Sequence, residues 1–71
     1  MSQIKTGRYR HFKGREYLVE GVAKHSETEE DYVVYRASYA PDMLWIRPVA
    51  MFLEKVKYQG QEVDRFVYID E

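Results

Sequence analysis

Along most of the chain, apolar and polar residues alternate one by one, the period of a strand whose two faces meet different surroundings. Residues 15–23 are the clearest case: Tyr17, Val19, Gly21 and Ala23 fall on one face, Leu18, Glu20 and Val22 on the other. A second strand over residues 7–12 precedes it, and Lys13-Gly14 between them predicts a two-residue hairpin turn, with Gly14 supplying a positive φ. That loop sets Phe12 opposite Arg15, His11 opposite Glu16 and Arg10 opposite Tyr17. Residues 32–39 place Tyr32 and Val34 against Val33, Tyr35, Ala37 and Tyr39. Ala40-Pro41-Asp42 predicts a turn, and residues 43–47 a short strand stopped by Pro48, which cannot donate to a ladder. Residues 48–53 read as a single helical turn, Pro48 opening it and Val49, Phe52 and Leu53 lying at turn spacing. A last hairpin is predicted from residues 54–58 and 64–69 around Gln59-Gly60-Gln61. Ser26-Glu27-Thr28-Glu29 has the form of a capping box, but the β-branched and aromatic run from Tyr32 leaves no length for a helix, and the segment reads as a polar turn.

Five or six short strands around one core predict an all-β fold: a small antiparallel SH3-like barrel or strongly curled sheet with at most one short helical turn. The chain has 71 residues and reads as a single domain over residues 1–71. Seven Tyr, three Phe and one Trp supply the bulk that so short a chain needs to offset its conformational entropy. A radius of gyration of about 11 Å leaves little room for an enclosed cavity beside a packed core, so a site is expected in a surface groove.

Charge changes this picture in one respect. The net formal charge of −1 argues against a dedicated nucleic-acid binder. Yet residues 1–19 carry a net +4 and residues 20–31 a net −4, and the simplest expectation is that the two blocks pair across the sheet. The chain has no cysteine, so disulfide and thiolate chemistry are excluded, and so small an unstapled domain fits a reducing cytoplasm. Residues 1–15 lack the apolar stretch of a signal peptide, and the longest apolar run, residues 49–53, is far short of a membrane span. A soluble cytoplasmic protein without membrane contact is expected.

Candidate chemistry is sparse. His11 and His25, with Glu27 and its acidic neighbours, could ligate a divalent metal in a metal-assisted hydrolase, but their spacing fits no metal motif. The plainer reading pairs His11 with Glu16 and leaves His25 in a turn; no metal, no cofactor and no catalytic residue is assigned. Ser26 follows His25 directly, and adjacent residues on an extended chain point to opposite faces, so the two make a poor dyad. Trp45 and Arg47 lie two apart on one strand and share a face. Burial is expected for Trp45 in a chain short of apolar mass, whereas Arg47 needs a carboxylate or an anionic visitor. Exposed tyrosines beside Lys13, Arg15 and Arg47 would instead make a groove for a peptide or a single strand of nucleic acid.

Several blocks recur in order: Gly7-Arg8-Tyr9-Arg10-His11-Phe12-Lys13-Gly14, Tyr17, Ala23-Lys24-His25-Ser26-Glu27-Thr28, Val33-Val34-Tyr35, Tyr39, Leu44-Trp45-Ile46-Arg47-Pro48, Met51-Phe52 and Arg65-Phe66. Together, over about residues 7–67, they resemble a small bacterial family, domain of unknown function 1653. The resemblance implies a free-standing cytoplasmic β-domain and brings no substrate, cofactor or catalytic residue with it. The reading that follows is a non-catalytic binding module for a peptide, protein or anionic small ligand, acting as monomer or homodimer. Its candidate ligand-binding residues are His11, Lys13, His25, Glu27, Tyr35, Trp45 and Arg47. Nucleic-acid or nucleotide binding through the basic amino-terminal hairpin is the alternative, disfavoured by the acidic block next to it.

Overall fold

The computed structural model describes residues 4–70; the remaining residues of the expected 1–71 domain lie outside it. Four strands follow one another as an antiparallel meander: β1 (Gly7–His11), β2 (Glu16–Lys24), β3 (Asp31–Ala37) and β4 (Ala40–Pro48). One helical turn, α1 (Val49–Phe52), follows, then the hairpin β5 (Lys55–Tyr58) and β6 (Gln61–Asp64), and last β7 (Phe66–Asp70). β7 returns to pair with β1, so the main sheet runs β4-β3-β2-β1-β7 and the β5–β6 hairpin stands apart. The fold is all-β and antiparallel with one short helix, and the sheet stays open rather than closing into a barrel. Its radius of gyration, 12.3 Å, exceeds the expected value accordingly. No helix among the described residues is long and apolar enough to cross a membrane.

Turn chemistry sets the register, and here the expectations need correction. His11 N–H donates to the Arg15 carbonyl at 2.7 Å and Gly14 N–H to the His11 carbonyl at 2.7 Å, which closes a three-residue loop over residues 12–14. Gly14, at φ +104°, is the bulge residue of that loop. The pairing is therefore one residue off the two-residue expectation: Tyr9 faces Tyr17, and Arg10 faces Glu16. Both tyrosines come to the core side and Arg10 and Glu16 to the outer side, since a one-residue slip exchanges faces. A bulge at Glu20 then moves β2 by another residue, so that Val22 rather than Gly21 or Ala23 pairs across from buried Val33. The turn between β3 and β4 is Ser38-Tyr39, not Ala40-Pro41-Asp42. Ala37 pairs with Ala40 and Arg36 with Leu44, which leaves residues 41–43 bulged out of β4. Proline is tolerated there because β4 is an edge strand.

The last predicted strand also divides in two. Gln59 and Gly60 both have positive φ, +52° and +79°, a primed turn that closes β5 onto β6 after only two residues. Arg65 then breaks the ladder: its N–H donates to the Glu54 carbonyl and its carbonyl accepts from Phe12 N–H, fixing the hairpin base against the sheet. A Cβ at residue 60 would meet open space, so Gly60→Ala tests backbone strain alone. It is expected to cost about 1 kcal/mol and to lower the midpoint of thermal unfolding by about 4–8 °C.

One face of the sheet holds the core. Tyr9, Val19, Val33 and Tyr35 pack there with Phe66, and α1 closes over them through Val49 and Phe52. Pro48 occupies the cap position of α1, just before the helical turn. Phe52 and Phe66 stack with ring centroids 4.2 Å apart and planes 3° from parallel, while Tyr9 meets Phe52 edge-on at 5.4 Å. The buried Tyr9 hydroxyl keeps a partner, donating to the Lys5 carbonyl at 2.8 Å. On the outer face Arg8 bridges Asp70 at 2.8 Å and Glu16 at 3.5 Å, and Arg36 bridges Glu20 at 2.9 Å. These pairs are solvent-exposed and contribute little individually.

The two charge blocks do not neutralise each other. Glu16 and Asp70 take the amino-terminal arginines, and Lys24 takes Asp31. The β1–β2 loop with Lys13 and Arg15 lies at one end of β2, and the acidic turn over residues 27–30 at the other. Lys13 and Arg15, at the more basic end, join no ion pair among the described residues.

Candidate functional site

At that basic end the register of β2, β3 and β4 assembles an open cleft. Tyr17 of β2 pairs across from Ala37 of β3, and Tyr35 of β3 across from Trp45 of β4. Ala37 is buried and small, and around it the rings of Tyr17 and Tyr35 meet edge-on at 5.6 Å. Tyr39, in the β3–β4 turn, stands 6.4 Å from the Tyr17 ring. With Trp45 and Arg47 these residues line a hollow of about 220 Å³, room for a fragment rather than a whole drug-sized molecule. Trp45 is 50% exposed, contrary to the expectation of burial. The core is filled instead by Phe52 and Phe66, which leaves the indole free to serve as a wall.

The electrostatics of the cleft are one-signed. Arg47 donates from Nε to the Tyr35 hydroxyl at 3.4 Å, and its guanidinium lies 5.8 Å from the Phe66 ring centre. Arg15 lies over the Tyr39 ring at 4.8 Å. Hydrogen bonding to Arg15, and then to Tyr17, holds the Tyr39 hydroxyl below the usual phenol range. Burial pushes the Tyr17 hydroxyl up. Seven ion pairs occur among the described residues, and none includes Lys13, Arg15 or Arg47. A guanidinium, three phenols and an indole thus face the hollow without a carboxylate. Such a set accepts an anion carrying a flat or apolar portion. An ammonium in the same ring of aromatics would meet Arg47 and Arg15.

Of the seven expected site residues, Tyr35, Trp45 and Arg47 come together; His11, its ring 6.2 Å from that of Tyr17, lines a different hollow, and Lys13 lies over the Phe12 ring instead. His25 and Glu27 do not join them: they lie beyond the far end of β2, and neither lines the hollow. The histidines close turns. His11 Nδ1 accepts Lys13 N–H at 3.2 Å, and His25 Nδ1 accepts Glu27 N–H at 3.1 Å and Thr28 N–H at 3.3 Å. His11, His25 and Glu27 therefore share no coordination sphere, and no cluster of metal-ligating side chains occurs among the described residues. Nor does His11 pair with Glu16, whose carboxylate goes to Arg8 and Arg10. Its ring packs on Phe12 and Phe66.

Burial, and then the nearby Arg65, Arg47 and Lys13, pulls the His11 imidazole below its ordinary value. A histidine depressed in the folded state leaves stability untouched above its unfolded value near 6.5 and lowers it as pH falls from there through the folded value. Urea titrations at pH 7.5 and 5 are expected to give lower stability at pH 5. His11→Asn, which keeps an acceptor for Lys13 N–H, is expected to shrink that difference; an unchanged difference contradicts the assignment.

Tyr17 and Tyr39 line the cleft and Arg15 lies over the Tyr39 ring; none was among the seven candidates, though the rival groove of exposed tyrosines beside Arg15 and Arg47 included them. The usable signal was Arg15 and Tyr39 falling in alternate turns of one meander, and so at the same end of the sheet. A second, larger hollow of about 500 Å³ lies between the β5–β6 hairpin and the β1–β7 edge, lined by Phe12, Tyr58, Val63, Val67 and Ile69 among others. Its charged members are already paired, Arg10 with Glu16 and Asp64 with Lys55. The smaller cleft is the better candidate because its cations are not.

Comparison with known proteins adds a family and a structure. No curated protein matches the chain. The crystal structure of a DUF1653 protein from Bordetella bronchiseptica is similar, with 35% sequence identity and a TM-score of 0.85 over 94% of this chain and 88% of that one. The family described as protein of unknown function DUF1653 matches residues 7–68, from the first residue of β1 into β7. The resemblance seen in the ordered sequence blocks is thereby borne out: the chain belongs to the DUF1653 family.

Proposed function

We propose that this domain is a non-catalytic binding module, an SH3-like curled β-domain of the cytoplasm that seats an anionic group of its ligand on Arg47 between Tyr35, Tyr39 and Trp45. The observation that carries this reading is a half-buried guanidinium without a carboxylate partner among the described residues, set in an aromatic cleft. A cation held beside a core is costly unless an anion answers it. The acidic turn, which from sequence weighed against nucleic acid, contributes no residue to the cleft. Proton transfer has little to work with in the cleft: its titratable groups are phenols and a guanidinium, and the neighbouring His11 spends Nδ1 on the backbone.

Trp45 is the single tryptophan and lines the cleft, so its fluorescence reports occupancy. Phenyl phosphate is expected to change that fluorescence saturably and more weakly as salt rises, and benzyltrimethylammonium to leave it unchanged. Response to the ammonium alone, or to neither, contradicts the proposal. Binding of a labelled oligonucleotide in preference to phenyl phosphate, with a steep salt dependence, would move the reading to single-stranded nucleic acid through Lys13, Arg15 and Trp45.

A further inference from the structure

Beside the cleft lies an open sheet edge. β4 ends the five-stranded sheet, and among the described residues no strand pairs with its outer side. Edge strands are ordinarily blunted by charges, prolines or bulges that discourage another strand. β4 has such a bulge at residues 41–43, but from Leu44 to Pro48 its register with β3 is regular. Within that stretch Leu44, Trp45 and Ile46 are 54%, 50% and 62% exposed, on both faces of the sheet. Arg47 is its only charge, and it has no carboxylate partner among the described residues.

Building on the anion reading above, we propose that an extended acidic peptide adds to the sheet along residues 44–48 of β4 and sets a side-chain carboxylate against Arg47. Strand alternation then dictates the ligand. Residues opposite Arg47 and Trp45 point into the cleft, and those opposite Ile46 and Leu44 point to the outer face. Read antiparallel to β4, the matching sequence is an acid, a β-branched residue, an aromatic and a β-branched residue. Main-chain hydrogen bonds supply affinity, and the carboxylate and the ring supply selection. A second copy of the chain is the weaker occupant. Symmetric antiparallel pairing of two β4 strands sets odd-numbered residues opposite odd-numbered ones, so within this stretch Arg47 would face Trp45 or another Arg47. Neither is an acid.

The probe is the peptide Thr-Glu-Val-Tyr-Val-Thr, amidated at its carboxyl end and tagged with rhodamine at its amino end, titrated by anisotropy against the full chain. Saturable binding is expected, weakened about tenfold or more when the peptide glutamate becomes glutamine or when the protein carries Arg47→Gln. Hydrogen exchange is expected to slow at β4 amides on adding the peptide. Equal affinity for the glutamine peptide, or protection only outside β4, overturns the inference. So does a dimer in sedimentation whose β4 amides are protected before any peptide is added. Binding of phenyl phosphate without binding of the peptide defeats strand addition and leaves the anion site standing; binding of neither defeats both.

Discussion

Phe52→Ala is expected to abolish cooperative unfolding, or to lower its midpoint by about 12 °C or more. Phe52 is 2% exposed and fully enclosed: it stacks on Phe66, meets Tyr9 and Tyr35 edge-on, and anchors α1 to the sheet. Truncating an enclosed phenylalanine typically costs about 3–5 kcal/mol, because the cavity collapses only in part. The whole domain, at about 0.05–0.15 kcal/mol per residue, has only about 4–10 kcal/mol to lose. One side chain therefore carries a large share of the fold. Leu53→Ala, one residue further and exposed, is the control and is expected to stay within about 0.5 kcal/mol of the parent. Differential scanning calorimetry of the two variants checks both values. A Phe52→Ala transition within about 4 °C of the parent would mean that the core lies elsewhere.

The second large effect separates function from stability at one residue. Arg47→Gln is expected to weaken binding of phenyl phosphate about 10- to 100-fold, the range of a lost charge-assisted hydrogen bond, while leaving the unfolding midpoint unchanged or higher. The stability half follows from the surroundings. Arg47 joins no ion pair among the described residues, its one hydrogen bond, to Tyr35, is long at 3.4 Å, and glutamine can occupy the same space without a charge. Residues kept for a ligand commonly cost stability, and their removal is neutral or stabilising. Were Arg47 chiefly a brace over Phe66, the same substitution would lower the midpoint by about 4–8 °C or more and leave affinity alone. Calorimetry and fluorescence titration of one variant distinguish the two roles.

How far these features could be read from the chain depended on which turns spoke clearly. Alternation marked β2 and β3, and Pro48 with Val49 and Phe52 marked α1, because periodicity and proline act locally. The register of β1 against β2 was misplaced by one residue: Lys13-Gly14 is compatible with a two- or a three-residue loop, and only the His11–Arg15 hydrogen bond chooses. Nothing local announces the Glu20 bulge, after which Val22 pairs across from Val33. Residues 64–69 looked continuous because Arg65 breaks them through contacts to Glu54 and Phe12, which are distant in sequence. The site was legible in part for the same reason. Trp45 and Arg47 share a strand, so their common face followed from spacing. Tyr17 and Tyr39 reach them only across the sheet, and the exposure of Trp45 is decided by Phe52 and Phe66 filling the space it was expected to take. The histidines drew attention through their chemistry, but each closes a turn with its Nδ1, a role invisible without backbone geometry.

The most direct test of the anion cleft is a map of where an aromatic anion touches the protein. In a titration of isotope-labelled protein with phenyl phosphate, followed by amide, indole and arginine Nε resonances, the largest shifts are expected at Trp45, Arg47 and Tyr39. Residues 25–30 at the far turn are expected to stay still. Shifts concentrated at Val63 and Val67 around the larger hollow, or spread evenly over the exposed lysines, would contradict it.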